Sequence, residues 1–130
     1  MPPLRHQQFA APLFADVTLK GPSGIHAVRV IVDTGAATTI IPPKVAAEIG
    51  CDPARSKKRI TILTASSEEY LPLVTIPLVI CLGCRLRNFS VACHDLPPQS
   101  TVDGLLGLDF LRHVPAFQQF HREILHLTQE

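Results

Sequence analysis

"IVDTGAATTIIP", Ile31 to Pro42, places one carboxylate directly after a run of aliphatic residues and before a turn of small ones. An aspartate at the end of an apolar strand is costly to ionise unless donors stabilise it. This stretch carries its own donors. Thr34 has a hydroxyl, Gly35 has an unhindered backbone N–H, and glycine lets the chain fold tightly beside the acid. Asp-Thr-Gly by itself is a common turn, so its meaning depends on what surrounds it.

The 130-residue chain is long enough for one domain with a real core and too short for two full ones. Hydrophobic residues make up 46% and charged residues 18%, the balance of an ordered globular protein. Twelve basic residues against eleven acidic ones leave a formal charge of +1, which gives no electrostatic case for nucleic acid or an anionic membrane. Tryptophan is absent and aromatics are few, so a base-stacking surface is not expected either. The opening "MPPLRHQQFAAPLF" has no continuous apolar stretch behind a basic start, and no signal peptide is read there. The most apolar run, Leu71 to Leu82, is too short to span a bilayer and contains two prolines. The expectation is a cytoplasmic protein with no membrane insertion by this segment, although a piece cut from a longer precursor would read the same way.

Short extended runs broken by Gly, Pro and Ser recur along the chain and predict an all-β domain. Strands are expected over Phe14 to Leu19, Ile25 to Val32, Thr39 to Ile41, Arg59 to Thr64, Leu71 to Cys81 and Arg85 to Cys93. "PPKVAAEIG" reads as a short helix with proline in its first turn and Gly50 at its end. "GLLGLDFLRH" starts extended and turns helical. Phe117 to Phe120 and Ile124 to Leu127 look like two final short strands. "CLGCR" reads as a hairpin turn whose two cysteines end two strands; a metal or disulfide role for Cys81, Cys84, Cys93 and His94 is the lesser reading. The basic cluster Arg55, Lys57, Lys58 and Arg59 reads as a solvated loop.

Two segments in a fixed order lift Asp33 above an ordinary turn residue. Val30 to Thr38 contains hydrophobic-hydrophobic-Asp-Thr-Gly-Ala-x-Thr, and Leu105-Leu106-Gly107 fits hydrophobic-hydrophobic-Gly before a short helix. With these motifs the chain resembles the retropepsin-like aspartic peptidases, the single-domain relatives of pepsin found in retroviruses, in bacteria and in the DNA-damage-inducible ubiquitin receptors. The resemblance extends from about Phe14 to Leu127. It implies one retropepsin-like domain over residues 1–130, an all-β, closed-barrel type of fold with one or two short helices, in a two-fold symmetric homodimer.

The resemblance also implies roles. Asp33 would be catalytic, as one half of a pair of carboxyls sharing a proton. Pepsin-type enzymes carry two such motifs in a longer chain. Asp103 is followed by Gly rather than Thr or Ser and reads as a loop end, and Asp109 reads as a local cap or a solvated group. The second carboxyl would therefore be Asp33 of another copy. Thr34 would hydrogen-bond across the dimer axis, Gly35 would keep the aspartates accessible, Ala36 would line the cleft and Thr38 would brace the loop. Leu105, Leu106 and Gly107 would support the loop from behind. Ala65, Ser66, Ser67, Glu68 and Glu69 would form a flap over an extended peptide or unfolded protein substrate. Relatives in bacteria often carry a glycine at this tip, and this chain does not. Ile124, Leu125 and Leu127, with a contribution from Pro2 to Leu4, would supply a shared dimer sheet; the alternative is that the tail completes its own monomer's sheet. No cofactor or metal is implied. The competing expectation is a catalytically weak or inactive peptide-binding or dimerisation module on the same fold.

Overall fold

A computed structural model describes residues 13–63, 67–119 and 122. Seven strands appear in the chain order β1 (Phe14–Gly21), β2 (Gly24–Val32), β3 (Ile40–Ile41), β4 (Arg59–Leu63), β5 (Glu68–Cys81), β6 (Cys84–Cys93) and β7 (Gly104–Leu106). Two short helices, α1 (Pro43–Glu48) and α2 (Leu108–Leu111), one 3-10 turn, Pro53–Arg55, and a helical segment at residues 115–119 accompany them among the described residues.

The strands hydrogen-bond in the order β1-β2-β7-β3-β6-β5-β4, and β5 also pairs with β1. That extra pairing joins Thr18 to Ile80 and Lys20 to Leu78, and it closes six strands into a barrel. Closure removes the free edges that an open sheet would leave. β4 stands outside the ring, held by the first residues of β5 in an antiparallel hairpin from Arg59↔Pro72 to Leu63↔Glu68.

Alternation fills the barrel. Val17 and Leu19 of β1 and Val28 and Val30 of β2 point inward and are almost fully buried. Ile41, Ile76, Val79, Val91, Leu106 and Phe110 complete a dense interior, with the Phe110 ring meeting Phe89 edge-on at 5.5 Å. Each such side chain contributes roughly 1.5–3 kcal/mol by leaving water. A second, smaller apolar cluster joins Ile40, Leu71 and Ala92 to Ile60, Ile62, Leu73 and Leu105. It ties the base of the β4–β5 hairpin to the strands beside Asp33.

The turns follow their residues. At "CLGC" the pair Cys81↔Cys84 closes a two-residue turn with Leu82 at φ 52° and Gly83 at φ 73°. Both central residues have positive φ, as a hairpin turn matching the strand twist requires. The β5–β6 ladder breaks between Ile76↔Phe89 and Leu78↔Arg87, where Pro77 cannot donate and Asn88 adopts φ 53°. Across that break the buried set shifts from Val74 and Ile76 to Val79 and Cys81.

Two expectations change, and a third falls outside the described residues. β5 begins at Glu68, three residues before Leu71, because Glu68, Glu69 and Tyr70 pair with β4. Phe117 lies in a helical segment, residues 115–119, and not in a strand. The Gln118 amide donates to the Val114 carbonyl at 3.0 Å, and Pro115 suits a first helical turn. Phe120 and the strand expected over Ile124 to Leu127 lie outside the described residues, as do Pro2 to Leu4. Among the described residues no helix is long and apolar enough to cross a membrane.

Candidate active site

The three residues of β7 set the geometry around Asp33. β7 runs parallel to β2, with Val32 beside Leu106, and antiparallel to β3, with Leu105 beside Ile40. The segment 33–39 therefore joins two strands that have β7 between them, and it must arch over the end of that strand. Asp33 continues the β2–β7 ladder by one bond, its amide donating to the Leu106 carbonyl at 2.9 Å. The acid is thus carried on a rigid strand end. Its half-buried carboxylate accepts from the Gly35 amide at 2.9 Å, and the Ala36 amide closes the turn onto the Asp33 carbonyl at 3.2 Å. Thr34 and Gly35 are exposed at the crest of the arch.

Only glycine fits at two places beneath it. A Cβ on Gly104 would overlap the Ile40 carbonyl oxygen. A Cβ on Gly107 would come within 2.8 Å of the Thr38 carbonyl carbon and 2.9 Å of the Ala36 oxygen. Both backbones approach closely because β7 and the residue after it are wedged under the arch. Gly107 follows the two aliphatics Leu105, half-buried, and Leu106, fully buried. Gly104 carried no mark in the sequence reading; its spacing three residues before Gly107 was the available signal.

Beyond Gly107, α2 is laced to the arch. Leu108 donates from its amide to the Ala36 carbonyl at 2.8 Å, and Asp109 to that of Ala37 at 3.3 Å. The Thr39 amide and hydroxyl donate to the two oxygens of Asp109 at 3.0 and 2.7 Å, and the Gly107 amide donates to the Thr39 hydroxyl at 3.0 Å. Two sequence readings are corrected here. The threonine that braces the arch is Thr39, which is buried, rather than the half-buried Thr38. Asp109 is neither a mere cap nor a solvated group, because three donors converge on it.

A cleft of about 450 Å³ opens over the arch. Asp33, Gly35, Ala36, Ala37, Thr38, Ile40 and Leu105 form its floor, and Thr61, Ile62 and Leu63 of β4 form its far wall. Asp33 is the one titratable group among these residues. The sequence reading singled out the other arm of the hairpin. Ser67 is exposed; Glu68 pairs with Leu63 and Glu69 with Ile62, but none of the three lines the cleft, and Ala65 and Ser66 lie outside the described residues. The cross-strand register around the tip was the signal that would have pointed to Thr61, Ile62 and Leu63. Glu69 instead faces His94 at 3.6 Å, linking the hairpin to the end of β6.

The cysteines stand apart from this site, Cys81 and Cys84 together at the hairpin turn and Cys93 away from them. Cys84 opens β6 and Cys93 closes it, so Cys81 and Cys84 sit at one end of that strand and Cys93 with His94 at the other. They cannot share one ion. Among the described residues no group of three His, Cys, Asp or Glu side chains converges on a metal position. Burial pushes the Cys81 thiol up to about 11, with the nearby Asp16 charge adding to it, and burial pushes Cys93 up to about 12. Both behave as small core residues.

Residues 17–113 match the family model described as "gag-polyprotein putative aspartyl protease". Among solved structures, the chain is similar to a retropepsin-like aspartic protease from Rickettsia conorii, with 24% identity, 78% of each chain covered and a TM-score of 0.56. That likeness supports the fold. No curated protein matches.

Proposed function

This chain belongs to the gag-polyprotein aspartyl protease family, retropepsin-like in fold, and from that premise we propose that it is an aspartic endopeptidase working as a two-fold symmetric homodimer. One observation carries the proposal: among the described residues that line the cleft beside the arch, Asp33 is the one titratable group. Peptide hydrolysis needs a base to take a proton from water and an acid to protonate the amide. One carboxylate cannot hold both states at once. Two brought together across a symmetry axis can, because like charges that close do not both ionise and the pair keeps one proton. Asp33 and its copy from a second chain would then divide the work. The ionised member draws a proton from a water held between them, the protonated member donates to the substrate carbonyl, and that proton passes to the leaving nitrogen as the tetrahedral intermediate collapses.

The surroundings suit that chemistry. The Gly35 amide keeps one oxygen of Asp33 fixed. Thr34 and Gly35 are exposed at the crest of the arch, where they would meet another copy. Among the described residues the cleft lining is apolar apart from Asp33 and two threonines, which suits an extended peptide added as a strand, with Ile40, Ile62, Leu63 and Leu105 receiving apolar side chains. The hairpin β4–β5 would close over it as a flap.

Cleavage of an unfolded protein and of a peptide library between about pH 4 and pH 7, with Asp33→Asn as control, tests the reading. Turnover that Asp33→Asn leaves undiminished would remove the mechanism. Binding of extended peptides with no turnover by the unaltered chain would make it a peptide-binding module instead.

A further inference from the structure

We infer that Asp109 is a positioning residue: through Thr39 it sets the arch that carries Asp33, and with it the geometry of the reacting pair. The inference rests on the endopeptidase reading for its kinetic consequence, and on hydrogen bonding alone for its structural one.

The network has a fixed direction. The Gly107 amide donates to the Thr39 hydroxyl, and that hydroxyl donates to Asp109 Oδ1. The Phe110 amide also donates to Oδ1, at 2.8 Å, and the Thr39 amide donates to Oδ2. All three donors that reach Asp109 require an acceptor, so both of its oxygens must accept. The backbone amides of Thr39 and Phe110 can only donate, so each oxygen of Asp109 faces one donor that cannot reverse its role. The three parts come from places far apart in the chain, Thr39 and Asp109 being 70 residues from each other. What they join is specific. Thr39 is the last residue of the arch before β3, and Gly107 is the residue wedged beneath it. The Asp33 end of the arch is held by a single amide bond to Leu106 together with the Gly35 turn. The opposite end has backbone bonds from Leu108 to Ala36, Asp109 to Ala37 and Ala92 to Thr39, and the Asp109 carboxylate adds the side-chain tie that joins Thr39 to α2.

An amide at position 109 breaks this arrangement although it has the same shape. Asparagine has one acceptor oxygen and one donor nitrogen, so whichever way it lies, at least one of the Thr39 or Phe110 donors meets a donor. The arch would then lose this side-chain tie and loosen on its backbone bonds, while the barrel, built from other residues, stays in place. A shift of about an ångström in catalytic groups costs on the order of a hundredfold in rate.

The test compares Asp109→Asn, Thr39→Val, their double variant and Thr39→Ser by amide hydrogen exchange and by steady-state kinetics. Asp109→Asn and Thr39→Val are each expected to speed exchange over residues 34–39 while β1, β2 and β6 stay protected. They are expected to lower kcat by about ten- to a hundredfold with KM within about twofold. The double variant should be no worse than either single one, since all remove the same tie. Thr39→Ser, which keeps the hydroxyl, should rescue both readouts. Unchanged exchange over 34–39 in Asp109→Asn overturns the inference whether or not the protein cleaves peptides. Faster exchange with kcat unchanged in an active enzyme overturns its kinetic half. An inactive parent protein would defeat the endopeptidase reading, while the exchange comparison would still decide the structural role of Asp109.

Discussion

Gly104 lies against Ile40 so closely that a Cβ at Gly104 would overlap the Ile40 carbonyl oxygen. A three-residue strand fits between β2 and β3 because this residue has no side chain. Gly104→Ala must push β3 away from β7 or break the Ile40↔Leu105 contact. The expected cost is about 1–3 kcal/mol, in the range of overpacked cores, with the midpoint of urea unfolding falling accordingly. Gly107→Ala meets backbone at 2.8 Å and should behave alike. Wild-type stability in both variants would show that β7 is not wedged.

Asp33→Asn keeps the size of the side chain and should leave stability within about 0.5 kcal/mol of the parent, as for most substitutions away from the core. Proteolysis should fall by about a thousandfold or more, since both general acid and general base are lost. Assay of refolded protein beside a thermal melt separates the two effects.

Mixing provides a sharper check on the shared pair. If unaltered and Asp33→Asn chains are unfolded together at equal amounts and refolded, random pairing leaves about a quarter of the dimers with two carboxyls. Activity per total protein should drop to that fraction. A value of one half would mean that each chain acts alone.

Leu63 lines the cleft yet is 72% exposed, so little of the fold depends on it. Leu63→Ser should leave the unfolding midpoint unchanged and lower kcat/KM for substrates with a bulky apolar side chain by about tenfold, the worth of a modest apolar contact. Equal losses on substrates with small and large side chains would place Leu63 outside the binding surface.

Alkali should weaken the fold through two thiols. A buried thiol resists ionisation, so its value in the folded chain lies above the ordinary one near 9.0, at about 11 for Cys81 and about 12 for Cys93. The folded state then binds protons that the unfolded chain has lost. The contribution is fully present below about pH 9 and declines as pH rises through each folded value, by up to about 1.4 kcal/mol per pH unit and thiol. Urea unfolding at about pH 8 and about pH 10.5 should show the decline, and Cys93→Ala should make it shallower. An unchanged slope in that variant would show that Cys93 is not held neutral.

The legible parts of the sequence were those that depend on near neighbours. Val30-Ile31-Val32-Asp33 announces a strand delivering an acid, Pro43 announces a helix start, and Cys81 to Cys84 announces a tight turn. Each carries its cause within a few residues. The less legible parts were set by partners far along the chain. Asp109 looks like a capping residue until Thr39 is brought to it from 70 residues away. Phe117 has the apolar character of a strand residue, but Pro115 and the Gln118–Val114 bond make its segment helical. Thr61, Ile62 and Leu63 gain a role only when β4 folds over the arch.

The insertion of β7 between β2 and β3 also dictates an order of events in time. Val30 finds Gly104 only after most of the chain exists, and such remote pairings are slow to form. A chain emerging from the ribosome can close the β1–β2 and β5–β6 hairpins early. It cannot shape the ground under Asp33 until the residues beyond 100 have been made. If the chain is the endopeptidase proposed above, its working surface is the last part to be completed during its own synthesis.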